Sequence, residues 1–193
     1  MMWDACCSKR AVLLGLVLAA GLTRLSTLLP QALPDASLAA FFLAGLYLRQ
    51  ARAFGVLLAV VVGSDWLALN GGVDSSCISA GYGVLVASYY LVWRAGVWAG
   101  TLPVREGRHP LRDTALALSA SIAAAFVVSN LGYYVFSDAA RSLSPAGYAA
   151  AVVSYFPAYA GAALCYVAAV LLIERIAARY RSDREGLAPA RTR

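Results

Sequence analysis

Apolar residues dominate six stretches of the chain, at 11–29, 36–48, 53–69, 80–99, 114–136 and 148–173, and short polar segments divide them. A helix needs roughly 20 apolar residues to cross a bilayer, and most of these stretches approach or exceed that length. Pro30 and Pro34 separate the first two, Arg49-Gln-Ala-Arg52 makes a tight basic turn, and Asn70-Gly-Gly72 breaks the chain after the third. Polar loops at 100–113, with Pro103 and Pro110, and at 137–147 divide the remainder. The pattern predicts an all-α integral membrane protein of six transmembrane helices. A short segment at 1–10 precedes them and a charged tail at 174–193 follows, its end from Gly186 having the composition of a disordered segment. The second stretch is unusually short: as a helix it rises only ~20 Å against a ~30 Å hydrocarbon core. Either it starts below the outer surface and leaves a vestibule above it, or Leu33 and the prolines extend it while the bundle tilts around it.

Composition agrees with this reading: 61% of the residues are hydrophobic and 13% are charged, too apolar for an ordinary soluble domain. The first stretch has the basic start and apolar core of a signal peptide. It nevertheless runs past Arg24 to Leu29 without a clean cleavage site, so an uncleaved first helix is expected. The net charge of +6 is informative by location. Lys9, Arg10, Arg49, Arg52, Arg105, Arg108, Arg112 and the arginines of the tail fall on one side, with Arg94 near that side, and only Arg24 and Arg141 on the other. The positive-inside rule then puts both termini inside, N-in and C-in. The outer loops become 30–35, 70–79 and 137–147. A single lysine against many arginines, together with abundant alanine, suggests a bacterial source with a GC-rich genome, and hence the inner membrane.

Several chemistries are excluded by what the chain lacks. It has no phosphate-binding Gly-x-x-x-x-Gly-Lys-Ser/Thr loop, so it carries no ATP site of that kind, and no motif that reads nucleic acid. Its one histidine, His109, falls in an inner loop and cannot join an outer site. Cys6 and Cys7 fall inside, before the first helix, and Cys165 is expected to be a small packing residue of the sixth helix. Cys77 stands apart, in the outer loop Asn70-Gly-Gly-Val-Asp-Ser-Ser-Cys-Ile-Ser79, with no other cysteine within the ~7 Å between Cα atoms that a disulfide allows. Three readings stay open: an incidental thiol, half of an intermolecular disulfide, or a thiolate ligand to a metal or a metal-containing substrate.

Other candidates gather at the same depth. Asp65, near the outer end of the third span, is a carboxylate inside an apolar segment, and such groups face a cavity or a partner or snorkel to the interface. Tyr82 begins the fourth span at the same level. Asn130 and Tyr134 lie one helical turn apart, as do Tyr155 and Tyr159. With Tyr133 they form either an aromatic belt or an amphipathic wall for a large, flat, partly polar ligand, and Pro157 can kink the sixth span. Small residues recur at Ala11, Gly15, Ala19 and Thr23, and at Gly55, Ala59 and Gly63. Such stripes pack helices closely or offer a docking face to another membrane protein.

The run Leu33-Pro-Asp-Ala-Ser-Leu-Ala-Ala-Phe-Phe-Leu-Ala-Gly-Leu-Tyr47, Gly63-Ser-Asp65, the loop ending in Cys77 with Tyr82 after it, and Ser129-Asn-Leu-Gly-Tyr-Tyr134 resemble the BtuM-type cobalamin transporters. These are similar to the substrate-binding S components of energy-coupling-factor (ECF) transporters. The likeness extends over residues 24–173. It implies a six-helix bundle of the S-component kind with an outward pocket for cobalamin (vitamin B12). It also implies that Cys77 binds the corrin cobalt, with reductive decyanation of cyanocobalamin as an associated activity. Asp65, Tyr82, Asn130, Tyr134, Tyr155 and Tyr159 are the expected ligand-binding residues. The bilayer is one expected partner, and a shared ECF transmembrane and ATPase module, docking on Ala11, Gly15 and Ala19, is another. Rival readings are an S component for another vitamin and a membrane interaction protein that transports nothing.

Overall fold

The computed structural model describes residues 9–26, 33–70, 81–102 and 110–186. Cys6, Cys7, Cys77, His109, the end of the first predicted span at 27–29 and the last residues of the tail lie outside them. The described residues form helices and no strand. In chain order these are α1 (Lys9–Leu25), α2 (Ser37–Leu43), which continues as a π-helical turn (Ala44–Leu48), α3 (Ala51–Asn70), α4 (Gly81–Thr101), α5 (Pro110–Phe136), α6 (Asp138–Arg141), α7 (Pro145–Val153) and α8 (Phe156–Gly186).

Three of them, over Ala51–Asn70, Leu111–Phe136 and Phe156–Tyr180, are long and apolar enough to cross a membrane. The exposed surfaces of these helices and of α1 are apolar as well. Leu14, Leu18 and Leu22 of α1, Trp66 and Leu67 of α3, Leu116 and Leu131 of α5, and Leu172 and Ile173 of α8 all point outward. Only 11% of the most apolar stretch of α8 is buried within the chain. A soluble monomer would not expose so continuous an apolar surface.

The short second element sits at the centre. Every residue from Ser37 to Leu48 except Tyr47 is buried, and α1, α3, α4 and α8 all pack against it. A helix that is apolar on every side belongs inside a bundle rather than against lipid. It closes with a five-residue hydrogen bond from Arg49 N–H to the Ala44 carbonyl (3.1 Å), and Arg49 then adopts a left-handed φ of 55°. The Arg49 guanidinium donates to the carbonyl of Gly100 and so ties this turn to the end of α4.

Glycine permits that approach. A β-carbon on Gly45 would lie 2.8 Å from the Val97 nitrogen and closer still to the Trp93 carbonyl. One on Gly96 would lie 3.0 Å from the Phe42 carbonyl carbon, and one on Gly100 2.6 Å from the Leu46 oxygen. The two backbones therefore touch where side chains would ordinarily hold helices 8–10 Å apart. Of the stripes noted at Ala11 and Gly55, only Thr23 is buried. Gly55, Ala59 and Gly63 face outward, and Gly15 has open space beside it.

The sixth predicted stretch is two helices. α7 ends at Val153 and α8 begins at Phe156, with Ser154 and Tyr155 between them. Pro157 accounts for the break, since in a continuous helix its ring would meet the Val153 carbonyl and it has no N–H to donate. α8 then runs beyond residue 173 to Gly186, because the arginines, alanines and glutamates there are good helix formers even though they end the apolar span. The loop expected at 137–147 contains α6, capped by Ser137, and the first turn of α7, capped by Ser144 with Pro145 at its first position. Cys165, expected to pack, is exposed on the outward side of α8.

Candidate functional site

Helices α1, α2, α3 and α4 meet at Arg24. Its side chain is 16% exposed and lies within an apolar bundle, so it needs anionic and polar partners. Nε donates to Asp65 Oδ1 at 3.0 Å, and Nη2 lies 2.7 Å from the same oxygen. Nη1 donates to the Tyr89 hydroxyl (2.9 Å) and to Ser37 Oγ (3.1 Å), and lies 3.3 Å from Asp35 Oδ2. The planar fork of arginine suits this task, reaching acceptors on three helices at once.

Each partner is itself held. Asp35 Oδ1 accepts from the Ser37 N–H (2.9 Å) and the Ser37 hydroxyl (2.6 Å), a local turn that starts α2. Tyr89 stacks on Phe41, with ring centroids 4.7 Å apart. Thr23 Oγ1 accepts the Ala36 N–H (3.1 Å) and donates to the Ala19 carbonyl (2.8 Å), while Ser26 Oγ accepts the Leu33 N–H (2.8 Å). The segment leading into α2 is thereby laced to the end of α1.

Tyr82 completes the cluster by donating to Asp65 Oδ2 at 2.7 Å. Asp65 and Tyr82, singled out by depth alone, thus touch. Their bond joins the last turns of α3 to the first turn of α4, on either side of residues 71–80, which carry Cys77 and lie outside the described residues. One guanidinium faces two carboxylates here, so the three side chains together carry a net negative charge. Tyr82→Phe removes one hydrogen bond and leaves the Arg24–Asp65 pair intact. It should cost about 1 kcal/mol, or a drop of roughly 2–4 °C in the thermal midpoint measured in detergent.

The tyrosines of the later helices form a separate group. Tyr148 of α7 places its hydroxyl 3.1 Å from the Asn130 carbonyl and 3.2 Å from Asn130 Oδ1, and its ring lies 4.9 Å from that of Tyr134. Tyr134 donates to the Leu143 carbonyl (3.2 Å), and the Asn130 amide donates back to the Phe126 carbonyl (2.8 Å). Tyr159 packs on Phe126 at 5.3 Å, whereas Tyr155 is 69% exposed at the break between α7 and α8. Asn130 and Tyr134 do share a face, and Tyr148 of α7 touches both.

Ala11, Gly15 and Ala19 line a third feature, an apolar groove of about 290 Å³ between α1, α2 and α8. Among the described residues no group of three or more histidine, cysteine, aspartate or glutamate side chains is placed to hold a metal ion. Sequence reasoning missed Arg24 as a partner of Asp65. The available signal was two opposite charges in neighbouring apolar spans, both at the outer depth.

Residues 6–178 match DUF6580, a family of unknown function. The chain belongs to that family. No curated protein matches it.

Proposed function

We propose that this DUF6580 protein is a six-span protein of a bacterial inner membrane, with both termini inside, that binds cobalamin from the outer side and carries it across. The observation that carries the reading is the Asp65–Tyr82 hydrogen bond. It draws together the two helices that flank the segment holding Cys77, next to a charged cluster at the mouth of an otherwise apolar bundle. A thiolate in that connection is a soft donor suited to an axial position of Co(III), and the cluster's polar groups suit the partly polar rim of a corrin. Ligation alone leaves cobalt as Co(III). Reductive loss of cyanide would draw its electrons from an added thiol reductant.

The test is the visible spectrum of protein purified from cells supplied with cyanocobalamin. The expected result is a red preparation whose corrin bands are displaced from those of free cyanocobalamin, with the displacement lost in Cys77→Ala. A colourless wild type without corrinoid by mass spectrometry would sink the cobalamin reading and turn attention to other vitamins.

A further inference from the structure

We infer that α8 is a hinged arm. It pivots at its joint with α7 and opens away from α1 and α2, and the hydroxyls of Tyr47 and Tyr166 latch it shut. The inference concerns the chain alone and does not depend on cobalamin.

The joint is local and narrow. Ser154 and Tyr155 separate α7 from α8. The Tyr155 N–H bonds back to the Val152 carbonyl (3.0 Å), and its own carbonyl accepts forward from the Tyr159 N–H (3.0 Å). Pro157 has no N–H with which to bridge the two helices. A few residues at the end of an element are what a hinge requires. Just past the joint, Phe126 of α5 lies against both Phe156 (5.1 Å between ring centroids) and Tyr159 (5.3 Å), so this end of α8 is held in place. Beyond it α8 is unbroken to Gly186 and moves as one body.

The grip on α8 weakens with distance from that end. Ala163 and Val167 are buried, but from residue 168 to residue 180 no side chain of the helix is. Across the groove stand small residues, Gly15 and Ala19 of α1 with Ala39 and Ala40 of α2, so packing there is interrupted. Between helices in lipid there is no hydrophobic driving force, and association rests on packing and on interhelical hydrogen bonds. Where packing is interrupted, the bonds carry the larger share. Tyr166 of α8 donates to the Pro34 carbonyl (2.9 Å), and Tyr47 of the central element donates to Glu174 of α8 (2.7 Å). Tyr166 lies about 15 Å along α8 from Phe156 and Glu174 about 27 Å, so one latch sits midway along the arm and the other near the end of its apolar part.

The experiment is pulsed electron spin resonance on the detergent-purified full chain, with the four native cysteines replaced by serine and nitroxides on introduced cysteine pairs. Leu14→Cys with Ile173→Cys spans the far end of the groove, and Leu22→Cys with Leu164→Cys the near end. All four positions are exposed, so the labels leave the packing alone. One interhelical hydrogen bond shifts a balance by about threefold, so Tyr47→Phe should raise the share of longer distances in the far pair about threefold, and Tyr47→Phe with Tyr166→Phe about eightfold. Glu174→Gln keeps an acceptor but loses its charge and should give a smaller rise than Tyr47→Phe. Residue 164 lies about 12 Å along α8 from Phe156 and residue 173 about 26 Å, so the near pair should lengthen about half as much as the far pair. Tyr47→Phe alone carries the test should the double variant fail to fold. Distances unchanged by Tyr47→Phe, equal lengthening of the two pairs, or lengthening that comes with loss of the helical circular dichroism signal would each overturn the inference.

Discussion

Gly96→Ala should lower the thermal midpoint of the detergent-purified chain by roughly 6–12 °C, the equivalent of about 3 kcal/mol in a chain of this size. The change adds one methyl group, and its effect comes from where that methyl must go. The new β-carbon would lie 3.0 Å from the Phe42 carbonyl carbon and 3.1 Å from the Leu46 nitrogen, closer still to the Phe42 oxygen. All three are backbone atoms of a buried helix, so no side chain can swing aside to make room. Either α4 moves away from the central helix, exposing apolar surface along the whole crossing, or the helix backbone distorts where it already carries a π-turn. Gly45→Ala meets the same crossing from the other side and should behave alike. Gly55→Ala and Gly63→Ala are the controls. Their β-carbons would meet nothing within 4 Å, and alanine is the better helix former, so their midpoints should stay level or rise. A Gly96→Ala protein as stable as wild type would mean that the two backbones do not cross at this distance.

The contrast between these glycines shows what sequence pattern can and cannot convey. Helices were legible along nearly the whole chain because each apolar stretch is long and bounded by proline, glycine or charge. The centre of the bundle was only half legible. The shortness of residues 36–48 marked them as unusual. That they are enclosed by four other helices depends on contacts no local window contains. Small-residue spacing drew attention to α1 and α3, whereas the packing spacing was Gly96-Val-Trp-Ala-Gly100, matched to Gly45 on another helix. Frequent alanine makes such stripes easy to find and poor at discriminating. The break before α8 was readable from Pro157, since its cause is local. At the site, depth in the membrane correctly grouped Asp65 with Tyr82, because residues at one level of adjacent helices must meet some neighbour. Depth could not say that Tyr134 and Asn130 meet Tyr148, since the path of residues 137–147 is set by the caps at Ser137 and Ser144. Arg24 was read as a marker of orientation, and its role as a hub followed only once α1, α3 and α4 were seen to converge on it.

That hub gives the second large effect. Arg24→Met should destabilise by about 3 kcal/mol, the lower end of the range for breaking a buried ion pair, since Asp65 keeps a quarter of its surface exposed and the bond from Tyr82. Asp65→Leu should cost about as much, because it leaves the guanidinium with Asp35, a carboxylate 47% exposed and bound mainly to Ser37. The double variant decides the issue. With both charges gone the ends of α1 and α3 that carried them meet through apolar side chains. Its loss should then fall well below the sum of the single losses, with a coupling of about 1–3 kcal/mol. Additive losses would mean that the two groups act independently, through solvent or through their other neighbours. Arg24→Lys distinguishes charge from shape. An ammonium keeps the charge but presents one donor centre, which cannot reach Asp65, Tyr89 and Ser37 together as the fork does. It should therefore recover only part of the lost stability. Since Asp65 also receives Tyr82, loss of Arg24 should loosen the joint between α3 and α4 as well. A weaker corrinoid spectrum in Arg24→Met than in Arg24→Lys, at temperatures where both remain folded, would connect this ion pair to the mouth it holds together.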